Sequence, residues 1–367
     1  DRHLMPMRIE RDLTHSDPVV QEVLDTWLPR FLRSGVALGD ITATVGRLDA
    51  WNDWGRDWMA TAAEHERLAS EAETDGRTQS ATTAWEDAAK CHHLAYFLSV
   101  RDPELHEAGL TKMLECHERA RPTMQPSVAK VEITGADGLR MVALLSVPAP
   151  NSPVLIVLPG LDSTKETRHS ARASWMSAGF AVMSLDGPGQ GEARRWSTAR
   201  PDYEVAITAA IDWLEDRDDV DASRIGLHGA SLGGYYAPRA AAFEPRVKAT
   251  VANCGPFDWS ECWDLLPTVT KEAFIHYTGA ADADEGLEIG RRFSLDGVMQ
   301  HLDRPLLVAH GSADPFIPWQ QGQRIASEAA GPTEFLLVED GNHGINNLSY
   351  RWAPYARDWM IRNVIEI

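Results

Sequence analysis

Cysteine is scarce and unpatterned. Cys91, Cys116, Cys254 and Cys262 form no CxxC pair and no zinc-ligand spacing, which argues against a disulfide framework and points to a cytoplasmic protein with reduced thiols. Positive charge is also short. The sequence holds 35 Lys and Arg against 54 Asp and Glu, a net charge of −19. A nucleic-acid partner needs a basic surface, so none is expected, and the balance mildly favours a neutral or cationic small substrate. No apolar run approaches the ~20 residues of a membrane helix, and residues 1–7 lack an apolar signal core. No phosphate loop ending in GK[ST] and no HExxH occurs. Neither a nucleotide nor a metal is therefore expected, and no cofactor of any other kind.

Tryptophan, by contrast, is abundant at 13 residues. Much of it lies in the first third, which reads as helices. Asp17-Pro18 opens one, as a capping residue followed by a residue suited to the first turn. Trp51, Trp54 and Trp58 follow helical spacing in a second, and Trp85 lies in a third. Asp102-Pro103 opens a fourth. This gives an all-helical domain over residues 1–126, with a lid or dimerisation role and its tryptophan stripe serving as core. His92, His93, His106 and His117 lie in it without a carboxylate-bearing metal pattern and read as ordinary surface or core histidines.

Past the proline-stiffened linker 122–126, apolar strands alternate with helices over 127–367. A hairpin spans Gly135 to Gly138, and a wholly apolar strand runs from Pro153 to Leu158, as when both sheet faces are covered. Helices are expected over 166–178, 205–215, 324–329 and 351–364. This is an α/β pattern, a mostly parallel sheet with helices on both faces. Roughly 45 residues, 257–303, interrupt two late strands, too many for a bare connection. They carry Trp259, Trp263, Phe274, Tyr277 and Phe293 and read as a cap over the C-terminal sheet edge.

The chemistry centres on Gly229-Ala230-Ser231-Leu232-Gly233, between the strand Ile225 to Leu227 and a helix rich in small residues. Glycine two positions either side of a serine at a strand-to-helix turn is a nucleophile elbow. The turn strains the serine backbone and crowds its neighbours, and the helix aims its amides at developing negative charge. A serine needs a base and a group to orient it. Asp314 follows the strand Leu306 to Ala309, and His343 follows Phe335 to Val338. Both fall on the same sheet edge as Ser231 and in the chain order serine, acid, histidine. His228 and His310 compete as bases, but chain order favours packing roles for them. Asp303 and Asp340 are weaker acids. Two amides form the expected oxyanion hole, those of Leu232 and of Leu161 in Leu158-Pro159-Gly160-Leu161-Asp162. Glu261, in Trp259-Ser260-Glu261-Cys262-Trp263, has two open readings: an acid–base or ammonium-pairing group near the substrate, or a solvated carboxylate at the start of the cap.

The stretch Pro159-Gly160-Leu161-Asp162-Ser163-Thr164-Lys165-Glu166, the loop from Asp186 to Glu192 and the helical first domain together resemble one branch of the α/β hydrolases. That branch includes fungal polyketide-shortening hydrolases and bacterial relatives that break carbon–carbon bonds beside a ketone. The resemblance implies a triad of Ser231, Asp314 and His343, a homodimer, and cleavage of an aryl ketone into a dihydroxypyridine and 4-methylaminobutyrate. A carboxylesterase or peptidase with the same triad is the alternative, and a non-catalytic binding protein is disfavoured because every triad member is present.

Overall fold

The structure, a computed structural model, describes residues 13–366. The opening residues 1–7 lie outside the described part. Helices α1 (Pro18–Arg33), α2 (Leu38–Val45), α3 (Trp54–Thr74), α4 (Thr78–Tyr96) and α5 (Pro103–Ala120) come first. The Asp17 carboxylate accepts from the Val19 and Val20 amides at 2.8 and 3.2 Å and from Trp51 N at 3.1 Å. It therefore caps α1 and ties it to the start of α3. Trp51, Trp54 and Trp58 are buried against one another and Phe31, forming the aromatic spine of this block. The short α2, with Gly39 and β-branched Thr42, Thr44 and Val45, has no strong helical signal in sequence. Ile41 and Val45 are buried on it, so packing rather than propensity makes it a helix.

The sheet comprises β1 (Ala129–Thr134), β2 (Arg140–Ser146), β3 (Ser152–Leu158), β4 (Ala181–Asp186), β5 (Val220–Ala230), β6 (Val247–Asn253), β7 (Leu306–Gly311) and β8 (Thr333–Val338). Their spatial order is β1-β2-β4-β3-β5-β6-β7-β8. β2 runs antiparallel to both β1 and β4, and every other neighbouring pair is parallel. Helices α8 (Glu204–Glu215) and α9 (Leu232–Phe243) pack on one face, continuous with the core of the helical block. On the other face, α7 (Arg172–Met176) seats Trp175, and α14 (Ala353–Met360) seats Trp359, with Trp352 directly before it.

Three helices differ from their sequence expectation. The expected helix 166–178 is broken into α6 (Lys165–His169) and α7. Ser170 Oγ donates back to the Thr167 carbonyl at 2.7 Å at the break, a bond that competes with the helical ladder. The expected 351–364 helix is α14 followed by a widened π turn at Ile361–Ile365. The expected 324–329 helix is part of α13 (Trp319–Glu328), which starts directly after Pro318.

Between β6 and β7 lie α10 (Trp259–Cys262), α11 (Thr268–Thr278) and α12 (Ala283–Gly290). Trp259 stacks on Phe274, and Phe293 meets Phe274 edge to face, as their core. The helical block touches both the sheet and this insertion. Arg101 forks onto Glu272 at 2.9 and 3.0 Å, Tyr96 stacks with Tyr277, and Arg30 reaches Asp162 at 2.7 Å. Among the described residues no helix is long and apolar enough to cross a membrane.

Candidate active site

Ser231 sits where β5 ends and α9 begins, with φ 58° and ψ −128°. That is left-handed space a serine rarely occupies. The flanking glycines follow from crowding. A Cβ on Gly229 would lie 1.9 Å from the Gly233 carbonyl oxygen, and one on Gly233 would lie 2.6 Å from that of Leu158. Backbone bonds from Ser231 N to the Asn253 carbonyl (2.9 Å) and from Gly234 N to the Ser231 carbonyl (2.7 Å) hold the turn.

Asp314 and His343 meet on the loops after β7 and β8. Nδ1 of His343 donates to Asp314 Oδ2 at 2.7 Å. The other carboxylate oxygen accepts from the Phe316 and Ile317 amides at 3.2 and 2.9 Å. The Phe316 ring packs against the imidazole, with centroids 4.2 Å apart. His310 stands behind Asp314, its Nε2 bonded to the Ile317 carbonyl at 2.8 Å. It props the acid's loop rather than facing Ser231.

Ser231 and His343 line one cavity of ≈ 200 Å³. Among the described residues no hydrogen bond joins Ser231 Oγ to His343; such catalytic contacts often tighten only with substrate bound. Arg30 and Arg33 of α1 and Ser34 just after it line the same cavity, so the helical block supplies part of its wall. The Leu161 and Leu232 amides serve no backbone or side-chain acceptor among the described residues. Gly160 brings the first of them close: a Cβ there would stand 3.1 Å from both Ser231 Cβ and the Ala230 carbonyl oxygen.

A buried polar frame holds this loop. Lys165, fully buried, reaches Asp186 at 3.0 Å, Glu192 at 2.9 Å and Glu166 at 2.8 Å. Burial opposes its charge, but the three carboxylates outweigh that and hold the ammonium well above its usual range. Asp186 also accepts the Lys165 amide (2.7 Å) and the Glu192 amide (3.0 Å). Gln190 Nε2 donates to the Pro159 carbonyl at 2.7 Å, and Tyr203 Oη donates to Gln190 Oε1 at 2.6 Å. The Asp186 to Glu192 loop is thus a clamp on the Pro159–Gly160 turn.

Glu261 does not reach the cavity. Its side chain is 50% exposed, and its carboxylate accepts from Gln321 Nε2 at 2.7 Å and Arg324 Nη1 at 3.3 Å. Gln321 in turn accepts the Phe257 and Asp258 amides at 2.8 and 2.9 Å. Glu261 therefore fastens the start of the insertion to α13, and the substrate-facing expectation is corrected. His228 packs beside the site as expected, its ring 5.8 and 6.0 Å from those of Trp175 and Trp352; it also lines the cavity, and neither ring nitrogen has a hydrogen-bond partner among the described residues. Burial, with Arg168 and Arg33 nearby, depresses its pKa to about 3, so the ring is neutral. Of three groups of possible metal ligands among the described residues, Asp40/His65/Cys91 and Glu66/His92/Cys116 lie in the helical block, and Cys254/Asp314/His343 lies at the candidate site, where burial and then Asp314 push the Cys254 thiol well above its usual range. Burial pushes the Cys116 thiol up to about 12 and that of Cys91 higher still. In the helical block the His65 and His92 imidazoles are already hydrogen-bonded to carboxylates at 2.9 and 2.6 Å, and the raised thiol pKa values argue against thiolate ligands.

An eight-stranded, mostly parallel sheet with a strained serine elbow at its C-terminal edge defines an α/β hydrolase. The model of the prolyl oligopeptidase family matches residues 167–364, more than half of the chain. The chain belongs to that family. It is 29% identical over 337 residues to 2,6-dihydropseudooxynicotine hydrolase of Paenarthrobacter nicotinovorans, covering 90% of each chain. It is 32% identical over 355 residues to hydrolase LUC6 of a Fusarium species, covering 82% of this chain and 84% of that one. The crystal structure of the 2,6-dihydroxy-pseudo-oxynicotine hydrolase superposes with a TM-score of 0.83 at 28% identity, over 92% of this chain and 96% of that one.

Proposed function

We propose that this hydrolase breaks a carbon–carbon bond beside a ketone, with an aryl ketone as its substrate and Ser231 as its nucleophile. Ser231 Oγ adds to the carbonyl carbon while His343 takes its proton, and Asp314 steadies the resulting imidazolium. The oxyanion rests on the Leu161 and Leu232 amides. A ring carbon is a poor leaving group as a bare carbanion. If a dihydroxypyridine ring is first protonated at that carbon, the bond becomes that of a β-dicarbonyl. Collapse of the tetrahedral adduct then breaks it, and the electron pair passes into the ring as an enolate, which is protonated on release. Water activated by His343 clears the acyl group from Ser231. No cofactor enters any step, and the enzyme is proposed to act as a cytoplasmic homodimer.

The observation that supports this reading most is the Asp314–His343 contact at 2.7 Å in the same cavity wall region as the strained Ser231. The choice of bond follows the named relative, whose substrate, 2,6-dihydroxypseudooxynicotine, is the first compound to test. Mass spectrometry of the reaction should find 2,6-dihydroxypyridine and 4-methylaminobutyrate in equal amounts. The second reading, a carboxylesterase or peptidase, is favoured by the family match. A panel of nitrophenyl esters and short peptides set against aryl ketones separates the two.

A further inference from the structure

The cavity beside Ser231 has the opposite charge to the chain. Against a chain charge of −19, its wall carries Arg30, Arg33, Arg168 and Arg357 and a single carboxylate, Asp162. Arg30 occupies that carboxylate at 2.7 Å. Burial would raise the Asp162 pKa, but Arg30 beside it carries it below the usual carboxylate range, so the pair is closed on itself. The other arginines have no acidic partner among the described residues. Arg33, at the mouth, donates to Asn346 Oδ1 at 3.2 Å and lies over the Trp352 ring. Arg357 donates to Ser174 Oγ at 2.6 Å. The Arg168 side chain makes no hydrogen bond among the described residues, and its Nε is buried. Burial and the neighbouring Arg30 depress the Arg168 pKa to about 9.

Other lining residues also carry buried, unpartnered polar atoms: Trp352 Nε1 is a donor that suits an anion, and an acceptor such as Asn253 Oδ1 suits only a protonated ligand. The neutral His228 has both nitrogens unpartnered, and Asn253 Oδ1 is buried without a donor. Cations gathered in a partly enclosed space repel one another and lose hydration, and both costs fall when an anion enters. Guanidinium groups suit this task because their planar forks match two oxygens at once.

We propose that the substrate hydrolysed at Ser231 carries a negative charge, a carboxylate or an ionised ring enol, held by Arg168 and Arg357 with Arg33 at the entrance. This rests on the hydrolase reading above and deepens it. It also reverses the expectation, drawn from overall charge, of a neutral or cationic substrate. An enolate leaving group would meet the same wall as it forms, so the anion site serves bond breaking as well as binding.

The test uses the full chain carrying Ser231→Ala, with binding measured by calorimetry. The ligands are aryl ketones matched in size and ending in a carboxylate, a primary amide or a methylammonium, each with the ring hydroxyls free or methylated. For a tail anion, the carboxylate should bind roughly 10-fold or more tightly than the amide, with the methylammonium weakest. For a ring anion, methylating the hydroxyls should cost the same factor whatever the tail. Adding Arg168→Gln, or Arg357→Gln where the first variant folds poorly, should abolish the preference and leave the neutral ligand within about twofold. Equal binding across both the tail series and the hydroxyl-methylation pairs, a preference for methylammonium with no cost of methylation, or no binding of any anion would overturn the proposal. Turnover by the unmutated enzyme is scored separately. Cleavage of esters but of no ketone would sink the carbon–carbon reading while leaving the anion preference measured on its own.

Discussion

Replacing Lys165 by methionine should unfasten the Pro159–Leu161 loop that is proposed to supply an oxyanion donor. Its ammonium is fully buried and touches three carboxylates at 2.8 to 3.0 Å. Methionine fills much of the same volume but leaves Asp186 and Glu166, both buried, without their counter-charge. Removing one partner of a buried ion pair costs about 3–5 kcal/mol, which corresponds to a fall in melting temperature of roughly 10 °C for a catalytic unit of this size. The sign of the pH dependence follows from Glu166. Burial opposes its charge, yet Lys165 brings its pKa down from 4.5 to about 2. A depressed carboxylate gives the native protein stability that is fully present above the unfolded value of 4.5 and is lost as pH falls toward 2. In Lys165→Met the uncompensated carboxylates can shed their penalty only by taking protons. The deficit against the unmutated protein should therefore shrink as pH falls from about 8 to about 5. Thermal melts of both proteins across that range, with turnover followed in parallel, are the assay. A melting temperature within about 2 °C of the unmutated value, or a deficit independent of pH, would refute the claim that this cluster frames the site.

Further variants probe the site itself. His343→Ala should abolish turnover, Asp314→Asn should lower it roughly 10³- to 10⁴-fold, and combining His343→Ala with Ser231→Ala should be scarcely worse than either alone, because the residues act as one unit; multiplicative losses in steady-state kinetics would contradict this. Gly160→Ala puts a methyl 3.1 Å from Ser231 Cβ and from a backbone oxygen, neither of which can swing away. It should cut kcat roughly 10- to 100-fold with the fold intact by circular dichroism, and unchanged kcat would remove Leu161 from the oxyanion hole. Glu261→Gln should leave kcat within about twofold and stability within about 1 kcal/mol, since the carboxylate is half-exposed and turned to Arg324; a 100-fold loss would return it to the chemistry.

Some of this arrangement is legible in sequence, for definite reasons. Ser231, Asp314 and His343 each follow an apolar strand, and parallel strands deliver all their loops to one edge. Strand order alone then fixes which side chains become neighbours there. The glycines around Ser231 report crowding that the structure measures directly. Glu261 shows the limit: its place after β6 is readable, but its direction depends on Gln321 and Arg324, which lie some sixty residues on. The arginine wall is harder still. Arg30 and Arg33 sit on α1, Arg168 on α6 and Arg357 on α14. Each reads locally as a solvated helix residue, and only the packing of three distant helices around Ser231 turns them into one surface. Composition misleads here, since −19 over the whole chain says nothing of the sign inside one cavity. The break between α6 and α7 was hidden for a similar reason: Ser170 gives no signal until its hydroxyl turns back to the Thr167 carbonyl.

The proposed reaction is Ser231-dependent hydrolysis of a carbon–carbon bond. It is tested most directly by product analysis on unmutated and Ser231→Ala protein side by side, using the dihydroxypyridyl ketone and its carboxylate-tailed analogue. The unmutated enzyme should release ring and carboxylic acid in equal amounts from at least one of them, and Ser231→Ala should release neither. Ketones returned intact by an enzyme that hydrolyses esters, or the same products from Ser231→Ala, would contradict the account.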